Sequence, residues 1–292
     1  MRNFIKSNYN IYPKKIYKKD DKYFFFSNNE KIFILKTFKD EKYLNKIIDL
    51  SNNVYKAKIN ISTFLLNVKG KFYTKKDNYY ILLLKYNDDS YNEITLDDIN
   101  INKTISNLQI DNYNLINSFE NEIDELEKEI TEYNKEFSII QKSIDYFIGL
   151  SENGIQLLKT INLKEECLCH NIDIEKYNKY EFNNPFNLIK TNKMYDYANY
   201  FKYKFYNKTI DYEELYKLII NNNKEDLICF FSCMLYQKEY FTCVKDILSN
   251  IKEEKELSKY INEINNYKEL IIYIKNTMNH ISEIQQIEWI DW

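Results

Sequence analysis

The chain has 292 residues, a formal net charge of −3 and 44% apolar residues. That apolar fraction excludes a disordered chain, and the interspersed charges offer no large basic face for nucleic acid. No segment approaches the roughly 18 uninterrupted apolar residues of a membrane span, and the N-terminus, MRNFIKSNYN, lacks the apolar core of a signal peptide. Five cysteines without framework spacing suit a reducing compartment, so we expect a soluble, cytoplasmic protein.

The scarcity of glycine excludes two nucleotide-binding motifs. The chain has only three glycines, Gly70, Gly149 and Gly154. A loop that cradles phosphate groups needs several glycines, because its backbone N–H groups must approach the anion closely. Neither a dinucleotide-binding fingerprint nor a P-loop can therefore be formed from this sequence.

The first 86 residues predict five strands interrupted by one helix. KKIYK, KYFFFS and KIFILKTF are rich in β-forming residues, and a turn at Asn28-Asn29 separates the second from the third. DEKYLNKIIDLSNN has apolar residues at helical spacing. Two more strands follow, STFLLNVKGKFYT with a turn at Gly70 and NYYILLLKY after the turn signal Asp77-Asn78.

From about Asp111 onward the pattern is almost wholly helical. Apolar residues between Phe119 and Phe147 alternate spacings of four and three over roughly four heptads, which is the period of a coiled coil. This run predicts either one long helix or a tight antiparallel pair. Further helices follow the only mid-chain proline, Pro185, and one begins at Asp211, whose spacing to Glu214 allows a capping box.

Several segments resemble one known family. They are FENEIDELEKEI, SIDYFIGLSENGIQLL, LCH, NPFNLI followed by MYDYANYFK, and FFSCMLYQKEYFTCVKDI. Together with the strand order they resemble the spore-coat kinase-like family, which is similar to aminoglycoside and choline phosphotransferases. The resemblance implies an α+β, protein-kinase-like fold of two lobes, with a β-rich lobe at 1–87 and a helical lobe at 88–292. It also implies that the heptad run breaks near EYNKEFS.

The resemblance implies a set of catalytic parts, beginning with a phosphate lid and a lysine on the third strand. The lid would lie at KKDDK, which has no glycine, and Asp20 and Asp21 would repel a triphosphate. Lys36 in FILKTF is the candidate for the cofactor-binding lysine, with Glu41 in the next helix as its candidate partner. A solvated lysine is the alternative reading of Lys36 in so lysine-rich a chain.

The catalytic loop would be CLCHNIDIEKYN, Cys167 to Asn178. In the family plan a catalytic Asp follows the His by two residues, and a metal-binding Asn follows that Asp by five. Ile172 stands two after His170, whereas Asp173 comes one residue late and Asn178 stands five after it. In a second register, PFNLI supplies the Asn as Asn187. The candidate catalytic residues are thus His170, Asp173 and Asn178, and both registers stay open.

A second metal-binding Asp is expected before the MYDYANYFK helix and is missing. Its place holds Lys190, Thr191 or Asn192, and a lysine would repel Mg²⁺. Asp196 matches a structural aspartate of the family, and the final WIDW imitates a metal-binding motif by coincidence of composition. We therefore expect no metal site and no cofactor.

Cys167, Cys169 and His170 carry ligand atoms that suit Zn²⁺, so a zinc site is one alternative interpretation of this segment. Cys229 and Cys233 are better interpreted as small hydrophobic residues on one helix face, so four ligands are lacking.

Three functions follow from these patterns. The first is a pseudokinase that acts in binding or scaffolding with a protein partner, with a link to the spore coat implied by the resemblance. The second is an active small-molecule phosphotransferase that uses ATP, Mg²⁺ and Asp173. The third is a helical coiled-coil interaction protein, which requires an unbroken helix from Phe119 to Phe147.

Overall fold

In the computed structural model, residues 1–19, 22–86, 93–103, 110–132, 137–164 and 167–280 are described. The expected lid residues Asp20 and Asp21 and the C-terminal WIDW lie outside this part of the chain. The chain divides into two compact units, and the lobe boundary between residues 87 and 88 stays a prediction. Unit 1 comprises Met1–Asp111 and Asn178–Leu188, and unit 2 comprises Asn112–Tyr177 and Ile189–Trp292.

Unit 1 is built on an antiparallel sheet of six strands, in the order β1-β2-β3-β6-β4, with β5 also paired to β6. The strands are β1 (Tyr17–Lys19), β2 (Lys22–Ser27), β3 (Glu30–Thr37), β4 (Thr63–Phe64), β5 (Tyr73–Lys76) and β6 (Tyr79–Tyr86). The helices of this unit are α1 (Arg2–Tyr9), α2 (Glu41–Lys56), α3 (Leu96–Asn102) and the short α6 (Lys179–Phe182).

The hairpin turns of this sheet lie where the sequence predicts them. Asn28 and Asn29 have φ values of 50° and 63°, and Asp77 has a φ of 53°. Asn and Asp tolerate this left-handed conformation better than other residues with side chains, so these dipeptides can close two-residue hairpins. The prediction of a small antiparallel sheet with one helix after its third strand is confirmed.

Unit 1 departs from the sequence prediction in two places. The segment STFLLNVKGKFYT is two strands, β4 and β5, because Gly70 and the Asn67 side chain, which accepts hydrogen bonds from two backbone N–H groups, form a turn between them. Helix α1 was not predicted. It is short, and only Ile5 and Tyr9 are buried from it; a pair of residues spaced by four is a weak helical signal.

The two faces of the sheet carry different layers. Residues of α2 pack with Phe33, Leu82 and Leu84 on one face. Residues of α1 pack with Ile32, Ile34, Ile81 and Leu83 on the other face. The alternation follows from the two-residue period of a strand, since neighbouring side chains point to opposite faces. Because both faces are covered, β6 has a nearly continuous apolar sequence.

Unit 2 is mainly helical. Its helices are α4 (Leu115–Glu132), α5 (Ser138–Lys159), α7 (Met194–Tyr206), α8 (Tyr212–Ile220), α9 (Lys224–Leu235), α10 (Lys238–Leu248), α11 (Ser258–Ile261) and α12 (Ile264–Asn279). Strands β7 (Cys167–His170) and β8 (Leu188–Thr191) form a two-stranded sheet. The prediction of a larger helical region is confirmed. No helix in the described ranges combines the length and apolar character that crossing a bilayer requires.

The heptad run is interrupted where the family resemblance implied. Helix α4 ends at Glu132, and Phe137 has extended dihedral angles immediately before α5. Lys159 at the end of α5 pairs with Glu120 near the start of α4, at 2.6 Å, so the two helices run antiparallel. The unbroken helix that the coiled-coil interpretation requires is therefore absent.

Candidate functional site

His170 and Asp196 form a buried pair that joins the end of β7 to the first turn of α7. The backbone N–H of His170 donates to one carboxylate oxygen of Asp196 at 2.8 Å, and Nδ1 of its ring lies 2.9 Å from the other. Each side chain is only 2% exposed. Because the Asp196 carboxylate contacts both the backbone and the ring of His170, it fixes the position of His170, from which the candidate catalytic loop continues. This is the structural role that the resemblance implied for Asp196.

Asp173 lies after His170 and is held by lysines. Its carboxylate oxygens lie 3.9 Å from Nζ of Lys238 and 3.5 Å from Nζ of Lys176. Lys238 also donates to Oδ1 of Asn171 and to the carbonyl oxygen of Ile172, so three successive residues present oxygens to one ammonium group. Burial lowers the pKa of Lys238, and the charge of Asp173 opposes that shift. The carboxylate that would accept a substrate proton is thus already engaged with two cations.

Lys238 was not identified from the sequence. It is the first residue of α10, where the positive end of the helix dipole disfavours a cation. The signal in the sequence was its unfavourable position: a lysine at a helix N-terminus suggests that an anion or several oxygen atoms lie close to its ammonium group.

The two candidate asparagines belong to unit 1, whereas His170 and Asp173 belong to unit 2. Oδ1 of Asn178 accepts the backbone N–H of Glu181 at 3.1 Å and caps α6. Nδ2 of Asn187 donates to the backbone oxygen and to Oε2 of Glu181, at 2.9 and 3.0 Å. Both asparagines therefore have local structural contacts, and their metal-binding roles in the two registers stay predictions.

Strand β8 occupies the place where the second metal-binding acid was expected. Lys190 lies within it, and its carbonyl oxygen accepts the backbone N–H of Tyr113 at 2.7 Å. Only Asn192 and Lys193 separate the end of β8 from α7, and Oδ1 of Asn192 accepts the backbone N–H of Met194 at 2.9 Å. In the described residues, no group of three or more His, Cys, Asp or Glu side chains is placed to hold a metal ion.

Lys36 is exposed on the sheet of unit 1. It pairs in register with Ile81, so it lies on the face that carries α1, opposite the face that carries α2. Its Nζ lies 4.1 Å from the ring centre of Tyr79, a cation–π contact. Glu41, at the start of α2, instead accepts hydrogen bonds from the hydroxyl groups of Tyr80 and Tyr73, at 3.2 and 3.3 Å. The role of Lys36 in binding a cofactor remains a prediction.

None of the five cysteines, all of which lie in the described residues, forms a disulfide, and all but Cys167 are buried. Cys229 and Cys233 lie in α9, and the hydrogen bond between them is the main cause, with burial, that raises the pKa of Cys229. Cys169 lies in β7, and its Sγ is 3.4 Å from the backbone oxygen of Asn192. The burial of Cys229 and Cys233 on one helix fits small hydrophobic residues, the interpretation that the sequence favoured.

No protein-family model matches the chain, and no curated protein matches it in sequence. Its fold, however, matches solved structures over nearly its whole length. An aminoglycoside phosphotransferase from Alicyclobacillus acidocaldarius superposes with a TM-score of 0.67 at 8% identity, covering 96% of this chain and 97% of that one. The AMP-bound complex of spectinomycin phosphotransferase superposes with a TM-score of 0.53 at 12% identity, covering 97% and 98%.

A second spectinomycin phosphotransferase structure, a complex with ADP and spectinomycin, has a TM-score of 0.50 at 10% identity and covers 97% of this chain and 94% of that one. At such identities the likeness concerns the fold alone. The chain therefore has the kinase-like fold of these phosphotransferases, as the strand order and the family resemblance implied.

Proposed function

We propose that this chain is a kinase-fold protein without phosphotransferase activity, which acts by binding or scaffolding a protein partner. The observation that carries the proposal is the direct passage from β8 into α7. Phosphoryl transfer needs metal ions that neutralise the developing charge on the phosphates. Lys190 and the three residues after it offer no carboxylate to such an ion.

The engagement of Asp173 supports the same conclusion. Catalysis in this fold requires an acid that positions the nucleophilic hydroxyl. A substrate hydroxyl would have to compete for the Asp173 carboxylate with the ammonium groups of Lys176 and Lys238, which lie 3.5 and 3.9 Å from it. The ammonium of Lys238 cannot diffuse away as a metal ion can, because the side chain is tethered to α10.

Unit 2 also exposes a surface that supports binding to a protein. Tyr212, Tyr216 and Ile220 lie four residues apart along α8, and each is nearly half exposed, at 48%, 48% and 45%. Exposed apolar rows of this kind are common at protein interfaces. The resemblance to the spore-coat kinase-like family favours a partner within an assembled protein layer.

An active small-molecule phosphotransferase is the second candidate. The likeness in fold to the aminoglycoside phosphotransferase, over almost the full length of both chains, favours it. In that case Asp173 would be the catalytic base, and ATP with Mg²⁺ would bind through ligands other than those of the family plan.

The test is the melting temperature of the full chain with ATP, with Mg²⁺, and with both, alongside an assay of ADP release. A ligand that binds the folded state raises the melting temperature by mass action. We expect no shift that depends on Mg²⁺ and no ADP release. Asp145→Asn, at an exposed position of α5, is the matched control for Asp173→Asn. A Mg²⁺-dependent shift that Asp173→Asn abolishes and Asp145→Asn retains would overturn the proposal.

A further inference from the structure

Residues 178–188, called the insert below, belong to unit 1 although they follow the catalytic-loop motif in the chain. The insert is attached to the sheet unit by polar contacts at several points. The backbone N–H of Ser62 donates to the carbonyl oxygen of Asn183 at 2.9 Å, and Lys179 pairs with Asp98 at 3.4 Å. Phe186 packs on Phe64, with ring centres 6.0 Å apart.

The insert and α2 cover the same face of the sheet. Tyr180 belongs to the apolar cluster that Phe33, Leu82 and Leu84 form with α2. In protein kinases the lysine of the third strand pairs with an acid on the following helix, and a loop between the first two strands covers the phosphates. In such kinases the nucleotide therefore lies on the sheet face that carries this helix. Lys36 departs from that plan, because it lies on the other face of the sheet. In this chain the insert covers the face that carries α2.

Tyr180 fills an aromatic site on this face. Its ring centre lies 3.9 Å from that of Phe33, with the planes 31° apart, and 5.5 Å from that of Tyr86. The residue is only 9% exposed. Stacking on such rings is how proteins hold a nucleic-acid base, since every base has a π-face.

Glu181 adds an anion beside this ring. Its side chain is 8% exposed and pairs with Lys22, the first residue of β2. The ammonium group of Lys22 also lies 4.5 Å from the ring centre of Tyr180. Nδ2 of Asn187 donates to Oε2 of Glu181, so the buried carboxylate has two partners. A planar ring and an adjacent anion are the two chemical features of a nucleotide.

We propose that the insert is an internal ligand of unit 1, in which Tyr180 takes the place of a nucleotide base and Glu181 that of its anionic group. The folded chain then excludes purine nucleotides until the insert leaves the sheet. A tethered group competes at an effective concentration of order millimolar, so a free nucleotide binds weakly even where the site suits it. The inference goes beyond the proposed function. Even in an active phosphotransferase, the insert would have to leave the sheet before a nucleotide could bind.

The test is a titration of the full chain with ATP and with adenosine, both without Mg²⁺, by calorimetry. We expect no binding by the wild-type chain at millimolar nucleotide, and a Kd at least tenfold lower for Tyr180→Ala. Tyr73→Ala is the matched control, since Tyr73 lies in the same cluster with a similar exposed fraction of 8%. We expect Tyr73→Ala to behave as the wild-type chain does.

Two further variants keep the test decisive if Tyr180→Ala does not fold. Tyr180→Leu retains an apolar side chain but removes the aromatic ring and its hydroxyl group, and we expect a smaller gain for both ligands. Glu181→Gln removes the carboxylate that pairs with Lys22, and we expect a gain for ATP larger than that for adenosine. Binding by the wild-type chain as tight as by these variants, no gain in any folded variant, or an equal gain in Tyr73→Ala would each overturn the proposal. A variant that binds nucleotide but releases no ADP would support this proposal without contradicting the proposed lack of phosphotransferase activity. The two proposals can therefore fail separately.

Discussion

The two units differ in the charges that they bury. In the described residues, unit 2 buries one histidine and four charged side chains: His170, Asp196, Lys202, Glu239 and Lys275. Unit 1, over the same described ranges, buries a single charged side chain, Glu181, and that residue belongs to the insert. The sheet unit is otherwise held together by apolar and aromatic contacts on both of its faces.

The difference lies in what the buried charges do. Those of unit 2 join elements of the fold, whereas that of unit 1 belongs to a segment packed on the sheet. A buried charge is tolerated only when it is paired and hydrogen-bonded. In unit 2 the pairs join helices and strands to one another, as when Lys202 of α7 contacts Glu239 and the carbonyl oxygen of Tyr236. In unit 1 the one buried charge comes from a segment that lies on top of the sheet. Removing a pair should therefore damage unit 2 most.

The largest effect is expected for Asp196→Ala. It leaves the buried backbone N–H and the ring of His170 without their carboxylate, and breaking a buried pair in this way costs about 3–5 kcal/mol. Asp173 is a half-buried acid in the loop that follows His170, and Asp173→Asn should cost less than about 1 kcal/mol. Urea unfolding of both variants measures the difference. Equal costs would mean that the buried pair does not anchor the loop.

A smaller effect is expected where α5 approaches α9 closely. A Cβ atom at Gly154 would lie 2.6 Å from the backbone oxygen of Ser232, which cannot move without its helix. Gly154→Ala should therefore lower the free energy of unfolding by about 1–3 kcal/mol. A Cβ atom at Gly149, in the same helix, meets nothing within 4 Å. Gly149→Ala should raise stability by about 0.5–1 kcal/mol, and loss of stability in both variants would contradict the packing argument.

The smallest effect on stability is expected for the ion pairs that Glu175 forms near the surface of unit 2. Burial disfavours the charged form of Glu175, but hydrogen bonds from Lys252 and Lys259 outweigh it and lower the pKa of Glu175 from 4.5 to about 2. Because the folded-state pKa is the lower one, the stabilisation is present above pH 4.5 and is lost as the pH falls towards 2.

Solvent screening reduces that stabilisation to about 1 kcal/mol, since 36% of the Glu175 side chain is exposed. Glu175→Gln should remove this part of the acid sensitivity. The measurement is the melting temperature between pH 5 and pH 3, where the wild-type chain should lose more stability than the variant. Parallel curves would show that the ion pairs contribute nothing measurable.

Local patterns predicted much of the fold. The turns at Asn28-Asn29 and Asp77-Asn78 and the cap at Asp211 are formed by residues that contact their own neighbours, so they can be identified from the sequence. The break in the heptad run needed the family resemblance, because the apolar period alone allows one helix or two. The contact of Asp173 with Lys238 and that of Tyr180 with Phe33 could not be predicted, since each joins residues at least 65 positions apart.

The sequence by itself determined that this chain has a small antiparallel sheet followed by helices, and that its three glycines cannot form a glycine-rich phosphate loop. These conclusions rest on local periodicity, on turn chemistry and on which residue types are present. The tertiary structure alone decided that Lys238 binds the oxygens of residues 171–173 and that the insert lies on the sheet face of Phe33. Such contacts join distant parts of the chain, and their partners are selected by packing and charge rather than by spacing in the sequence.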